Sequence, residues 1–219
     1  PTPSNEAHSR IGESLSEACK RANVTLAGGE TATLPGIVTE LDLSGTALGW
    51  LPAGKAIAGS DIRPGDVLIG FPSSGIHSNG FSLVRKVVTK SRMSLTEPCP
   101  FSPGHESRSI EFDHGDLGSV LLNPTRIYVD PIVELLFTDM AICDRESIHG
   151  IAHITGGGLS NLLRLSQSVQ FLITDPLDPQ PEFRWIASEG EVSDWEMHRV
   201  FNMGMGCLLY TSDAADDDV

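Results

Sequence analysis

The run from Ser73 to Gly80 (SSGIHSNG) constrains the fold of this chain more than any other stretch. An apolar strand pattern precedes it, and a helix pattern over residues 81–88 follows it. The first N–H groups of a helix have no partner within the helix, and the helix dipole places positive potential there, so such a junction can bind an anion. Ser78 and Asn79 are residue types that cap helices, and His77 adds a titratable group. The pattern fits an anion site and a plain structural turn equally well.

The succession of strand, glycine-containing loop and helix recurs along the chain. The hydrophobic spacing predicts helices over residues 6–22, 81–88, 128–137, 159–165, 181–189 and 195–200, and strands over residues 24–27, 41–50, 66–71 and 150–154, with a further strand beginning within 201–209. The polar, proline-rich residues 91–118 predict a loop. Together these elements predict an α/β fold of the α+β sandwich kind.

A break rich in glycine and proline, residues 51–65, predicts a domain boundary near residue 58. The first domain then covers residues 1–57 and the second covers residues 58–206. The stretch CLLYTSDAADD, which begins at Cys207, is similar to the translation of a common sequencing adapter. We therefore expect residues 207–219 to be a non-native tail, with an acidic disordered tail as the alternative.

Charge and cysteine content restrict the class of protein. The formal net charge of -14 argues against general binding to nucleic acid or to an anionic membrane. No apolar run approaches the roughly 18–20 residues that span a membrane. The cysteines are scattered, at positions 19, 99, 143 and 207, and form no C-x-x-C pair. This spacing disfavours a structural zinc site and favours a reduced cytoplasmic protein, although an even count also permits disulfides.

Two further glycine loops are candidate sites. Glu30 and Thr31 follow Gly28-Gly29, where a carboxylate can bind Mg²⁺ or an amine, or can cap the next turn. Residues 155–158 (TGGG) can present backbone N–H groups to a phosphate, or can form a plain turn. The P-loop, dinucleotide-fingerprint and hydrolase-elbow patterns are all missing from the sequence. His153 lies within an apolar strand pattern and is expected to be a core histidine.

Five segments in order carry a resemblance to one family. They are GGETATLPG (28–36), GDVLIGFPSSGIHSNGFSLVRKVV (65–88), LLNPTRIYVDPIVELL (121–136), GIAHITGGGLSNLLRL (150–165) and EMHRVFNMGMG (196–206). From residue 11 to residue 206, the chain resembles phosphoribosylformylglycinamidine cyclo-ligase, the aminoimidazole ribonucleotide synthetase of purine biosynthesis.

The resemblance implies the fold and the activity. The chain would hold the end of an N-terminal AIR-synthetase-type domain, which binds nucleotide and forms a homodimer, followed by most of the C-terminal one. The implied enzyme is a Mg²⁺-dependent ligase that uses ATP to close the ring of formylglycinamidine ribonucleotide. The family's acidic nucleotide motif does not occur here, so the resemblance predicts an internal fragment that is inactive alone.

The resemblance also implies the site. His77 would be catalytic, in proton transfer or in stabilising an oxyanion. The residues implied in binding nucleotide or substrate are Glu30, Thr31, Ser74, Ser78, Asn79, Thr155, Gly156, Gly157, Gly158 and Asn202, and Glu30 would also bind the metal.

Two alternatives remain open from the sequence. Selenophosphate synthetase, thiamine-monophosphate kinase and a hydrogenase-maturation dehydratase share this two-domain architecture and its glycine loops, but not the full HSNGFSLVR and NPTRIYV stretches. A non-catalytic dimerisation module is the other alternative. Protection by Mg-ATP or by substrate separates an enzyme from a scaffold.

Overall fold

A computed structural model of the chain describes residues 4–34, 36–39, 41–104, 115–137 and 143–212. The helices are α1 (Asn5–Arg21), α2 (Phe81–Ser91), α3 (Leu117–Leu121), α4 (Val129–Phe137), α5 (Pro181–Gly190) and α6 (Asp194–Val200), and the strands are β1 (Val67–Pro72), β2 (Ile148–His153) and β3 (Met205–Thr211). Short 3-10 helices cover Arg145–Ser147 and Gly158–Arg164. The chain divides into two compact units, Pro1–Ala56 with Ile127–Met140, and Ile57–Arg126 with Ala141–Val219. The domain limits and the tail given above stay predictions.

The first unit contains α1 and α4, which confirm two predicted helices. The Ser4 hydroxyl caps α1 by accepting from the Ala7 N–H at 3.2 Å, and Lys20 and Arg21 place positive charge in its last turn. The described residues within 24–27 and 41–50 contain no strand, so those two predictions are wrong. An alternating sequence becomes a strand only where another backbone pairs with it, and no pairing to these stretches occurs among the described residues.

The second unit is organised by a three-stranded sheet in the order β1-β3-β2. β3 pairs antiparallel with both neighbours, and Leu209 lies opposite Ile69 on one side and Ile151 on the other. Residues 205–210 of this central strand are all buried. The sheet and its helices confirm a mixed α/β class. The strand predicted to begin within residues 201–209 is also confirmed, and it continues to Thr211.

One face of the sheet carries an apolar cluster. Leu68, Ala152, Leu208 and Tyr210 alternate onto this face, where Leu162 packs against them. Because these positions come from all three strands, burial of this cluster fixes the register of the sheet.

A second apolar cluster joins α2, α5 and α6. Val87 of α2, Ile186 of α5 and Met197 of α6 are each at most 2% exposed. Phe183 and Phe201 pack edge to face with ring centroids 5.7 Å apart. This arrangement holds the start of α2 against the segment that leads into β3.

The helix predicted over residues 159–165 is instead the 3-10 helix Gly158–Arg164. The Asn161 side chain donates to the Thr155 carbonyl at 3.3 Å and to the Gly158 carbonyl at 2.8 Å. An α-helix would need the Gly158 carbonyl for the N–H of Leu162, so this local bond competes with α-helical geometry.

The long loop predicted over residues 91–118 ends where α3 begins at Leu117, and much of it lies outside the described residues. Across the part of the chain that the structure describes, no helix combines the length and the apolar character needed to cross a membrane.

Candidate functional site

The loop from Ser73 to Gly80 begins directly after β1 and is fastened at its first residue. The Ser73 N–H donates to the Gly204 carbonyl at 2.8 Å. The Ser73 hydroxyl donates to Gln180 Oε1 at 3.0 Å, and Gln180 Nε2 donates back to the Ser73 carbonyl at 2.6 Å. Both side chains are fully buried. A reciprocal pair of buried hydrogen bonds therefore fixes the start of the loop.

Side-chain amides also hold the next two carbonyls of the loop. Asn123 donates to the Ser74 carbonyl, and Asn202 donates to the Gly75 carbonyl at 2.9 Å. The Ser74 hydroxyl donates to the carbonyl of Pro124 at 2.7 Å. Three successive carbonyls of the loop, those of residues 73–75, therefore each accept a hydrogen bond from a side-chain amide of a different part of the second unit. These bonds hold the backbone of the loop in a single conformation.

His77 lies at the centre of this loop with only 3% of its surface exposed, and its φ of 56° is in the left-handed region. Its Nε2 accepts the Ser74 N–H at 3.1 Å. Burial, followed by the charges of His153 and Arg126, lowers the pKa of His77 to about 4. The ring is therefore neutral at pH 7, with its proton on Nδ1.

His153 lies at the end of β2 with its ring centroid 6.5 Å from that of His77. It is exposed, so the prediction of a core histidine is wrong. Strand alternation is the reason, because Ala152 points into the apolar cluster and His153 points to the opposite face.

The start of α2 differs from the capping that the sequence predicts. The N-cap residue is Gly80 with φ 75°, and no side chain caps the helix, so Ser78 and Asn79 are not its caps. The Ser78 hydroxyl instead forms a hydrogen bond with the Thr125 hydroxyl at 3.2 Å. Glycine is required at position 80 because a Cβ there would lie closer than 3.0 Å to the Phe201 ring.

The turn formed by residues 155–158 is tightly packed at its last glycine. The Gly158 N–H donates to the Thr155 carbonyl at 3.0 Å. A Cβ on Gly158 would clash with the His198 carbonyl and would lie 2.8 Å from the Phe201 carbonyl. Since the Gly158 N–H is already used, the N–H groups of Gly156 and Gly157 are the better donors for a ligand.

The two loops meet at Asn79. A Cβ on Gly156 would lie 3.3 Å from Asn79 Oδ1, so the loop from Ser73 to Gly80 contacts the glycine turn. The predicted site residues that the structure brings together in the second unit are Ser74, His77, Ser78, Asn79, Thr155, Gly156, Gly157, Gly158 and Asn202.

Glu30 and Thr31 belong to the first unit, where both are exposed and lie outside helices and strands. Among the described residues, no three or more His, Cys, Asp or Glu side chains lie close enough together to hold a metal ion. The sequence-based role of Glu30 in binding a metal stays a prediction.

The sequence reasoning missed several residues that shape this site. Asn123, Thr125 and Arg126 lie in the segment LLNPTRIYV, which carried the family resemblance but was given no role. Nothing in the sequence indicated a role for Gln180 in the site, because a polar residue before the proline that starts α5 is typical of an ordinary helix start.

Comparison with known proteins gives one family model and a set of relatives. Residues 63–219 match the model described as AIR synthase related protein, C-terminal domain. A phosphoribosylformylglycinamidine cyclo-ligase of Methanosarcina acetivorans is 44% identical over 200 residues, which cover 91% of this chain and 54% of the relative. Proteins of the same name from Methanothermobacter thermautotrophicus and Methanocaldococcus jannaschii are 43% and 38% identical and cover 98% and 96% of this chain.

These names agree with the family that the five sequence segments predict, and they confirm that resemblance. The chain spans about half the length of the curated relatives it matches, from 54% to 59%.

Proposed function

The chain belongs to the AIR synthase related family, whose C-terminal domain it contains, and on that premise we propose that it is part of an ATP-dependent ligase of purine biosynthesis. The proposed reaction converts formylglycinamidine ribonucleotide to aminoimidazole ribonucleotide. One observation carries the proposal: two of the segments that carry the resemblance to the cyclo-ligase family are distant in sequence but meet in the structure, where Asn79 contacts the glycine turn. The proposed setting is the cytoplasm, and the proposed assembly is a homodimer.

The chemistry has two steps. The amide oxygen of the substrate takes the γ-phosphoryl group of ATP and releases ADP. The amidine nitrogen then attacks the activated carbon, loses a proton, and expels phosphate as the ring closes. Phosphoryl transfer of this kind depends on positioning and on charge stabilisation more than on a covalent nucleophile.

The residues of the second unit suit this task. His77 is neutral at pH 7 because its pKa is lowered to about 4, so we assign it a role as an Nδ1–H donor to developing negative charge. The N–H groups of Gly156 and Gly157, together with the start of α2, would bind phosphate oxygens. Ser78 and Thr125, whose hydroxyl groups form a hydrogen bond with each other, would supply further donors.

Magnesium would accompany ATP and neutralise its phosphates. Glu30 is the carboxylate that we propose for it, since Mg²⁺ commonly takes one or two protein carboxylates and completes its shell with phosphate oxygens and water. Within the described ranges, no group of three or more acidic, histidine or cysteine side chains lies close enough together to hold the ion.

A chimera tests the proposal. Residues 1–206 of this chain replace the matching region of the Methanothermobacter thermautotrophicus relative, and ADP release is measured with and without formylglycinamidine ribonucleotide. We expect ADP release that depends on this substrate. The 219-residue chain, assayed alone, is expected to release no ADP above background.

Two controls make the result interpretable. The His77→Ala chimera should lose about 10²–10³ in kcat if His77 stabilises the transferring group. A chimera that folds but turns over ATP only with thiamine phosphate or selenide would refute the proposed substrate and leave the family intact.

A further inference from the structure

A chain of hydrogen bonds links Gln180 to His77 through a single peptide group. Gln180 Nε2 donates to the Ser73 carbonyl at 2.6 Å, and the N–H of the same peptide, that of Ser74, donates to His77 Nε2 at 3.1 Å. A trans peptide is planar, so its carbonyl and its N–H point in opposite directions. Fixing the Ser73 carbonyl toward Gln180 therefore fixes the Ser74 N–H toward the imidazole.

We propose that Gln180 is a positioning residue, which acts through the Ser73–Ser74 peptide to hold the His77 imidazole in the tautomer with its proton on Nδ1. A carbonyl that accepts a hydrogen bond polarises its peptide and makes the attached N–H a stronger donor. The Ser74 N–H can only donate, so it requires an unprotonated Nε2. The importance of this tautomer for ring closure rests on the proposed function, whereas the tautomer itself does not.

The surroundings of His77 reinforce the arrangement. The charged and titratable groups that act on it are His153 and Arg126, and both disfavour a second proton on the ring. Gln180 itself is held in place, because its Oε1 accepts the Ser73 hydroxyl at 3.0 Å and the residue is fully buried at the start of α5. A buried amide with both ends bonded cannot exchange its donor and acceptor ends without breaking both bonds.

The test reads the ring nitrogens directly. Two-bond ¹H–¹⁵N correlation spectra of the 219-residue chain distinguish protonated from unprotonated nitrogens of His77. We expect only the Nδ1–H form between pH 6 and pH 8. In Gln180→Met, which keeps the side-chain length but cannot donate, we expect a mixture of the two tautomers.

Two matched variants separate positioning from general structural support. Asn202→Leu removes an equally buried amide, the one that holds the Gly75 carbonyl, but it lies outside the chain of bonds to His77. Ser73→Ala removes only the hydroxyl bond to Gln180 and leaves its donor in place. Both variants should retain the single Nδ1–H tautomer.

Three results would overturn the proposal. They are an Nε2–H or a charged His77 at pH 7 in the unsubstituted chain, an unchanged tautomer in Gln180→Met, and an equal loss of the tautomer in Asn202→Leu. The first result needs no variant, so the test stands even if Gln180→Met fails to fold.

Activity is a separate measurement. In the chimera, Gln180→Met should lower kcat by roughly tenfold or more with KM nearly unchanged, because a wrong tautomer removes transition-state stabilisation and not binding. If the tautomer responds as expected but the chimera does not use formylglycinamidine ribonucleotide, the proposed function fails and the positioning role of Gln180 stands.

Discussion

Glycines of the two units carry the same sequence signal but differ in structural role. In each unit, glycines lie next to predicted site residues. Gly28 and Gly29 precede Glu30 in the first unit. In the second unit, Gly80 ends the loop that contains His77, and Gly158 ends the glycine turn. A Cβ on Gly28 or Gly29 would meet nothing within 4 Å, whereas a Cβ on Gly80 or Gly158 would lie closer than 3.0 Å to the segment before β3. Packing distinguishes a glycine that the fold requires from one that it merely tolerates.

His77 of the second unit differs in the same way from Glu30 and Thr31 of the first. His77 is buried and hydrogen-bonded, whereas Glu30 and Thr31 are exposed. Substitutions of buried site residues such as His77 should therefore change stability and function together. Substitutions at residues 28–31 should change function with little effect on stability.

The sharpest test of this contrast is Gly158→Ala. The new Cβ would overlap the His198 carbonyl, and the φ of 55° is unfavourable for alanine, so we expect a loss of more than about 4 kcal/mol in the free energy of unfolding. Urea denaturation followed by tryptophan fluorescence measures it. Gly29→Ala is the matched control and should change stability by less than about 1 kcal/mol. Equal effects at the two positions would remove the distinction.

The pH dependence of stability is the next largest effect expected. The pKa of His77 is about 4 in the folded state and 6.5 in the unfolded state. Between these values the unfolded state binds the extra proton, so the free energy of unfolding should rise with pH from about 4 to about 6.5, by about 3 kcal/mol.

The control for this effect is His77→Asn, because asparagine tolerates a left-handed φ and does not titrate. Its stability should vary much less across the same pH range. His153→Asn should retain most of the dependence, since the lowered pKa of His153 contributes in the same direction from an exposed position. A profile that His77→Asn leaves unchanged would mean that His77 is not the buried neutral group.

Asn123→Leu tests the hydrogen bonds from side-chain amides to the loop, and a smaller loss of stability is expected. It removes the donor to the buried Ser74 carbonyl and should cost about 1–3 kcal/mol, the penalty of an unsatisfied buried acceptor. Thermal unfolding of the 219-residue chain measures the change. Thr31→Ala, which alters an exposed hydroxyl, provides the baseline, and a cost at Asn123 no larger than that baseline would argue against a fixed loop.

Periodicity predicted five of the helices that the structure describes. α1, α4, α5 and α6 lie within one residue of the predicted limits, and α2 begins where predicted but ends three residues later, at Ser91, since each carries an apolar stripe of helical period. The strands predicted at residues 24–27 and 41–50 are absent from these described stretches. A strand forms only where a second strand pairs with it, and the sequence pattern alone does not show whether such a partner exists.

The candidate site was predictable as a set of loops and not as a network. Glycine, serine and histidine after a strand marked the loop from Ser73 to Gly80. The amides that fix it come from Asn123, Gln180 and Asn202, which are separated from it by about 50 to 130 positions. Such distant pairings follow only from the tertiary structure. The capping role that the local sequence predicts for Ser78 and Asn79 is wrong for the same reason, because their partners are not set by the local sequence.

The smallest stability effect, and the clearest contrast with His77, is expected at Glu30. Glu30→Gln removes one exposed carboxylate and should change the free energy of unfolding by less than about 0.5 kcal/mol. In the chimera, the same change should weaken the response to magnesium if Glu30 binds the ion, which a titration of ADP release against Mg²⁺ measures. Asp42→Asn, another exposed carboxylate of the first unit, controls for charge alone. An identical magnesium response in both variants would mean that the Glu30 carboxylate does not bind the ion.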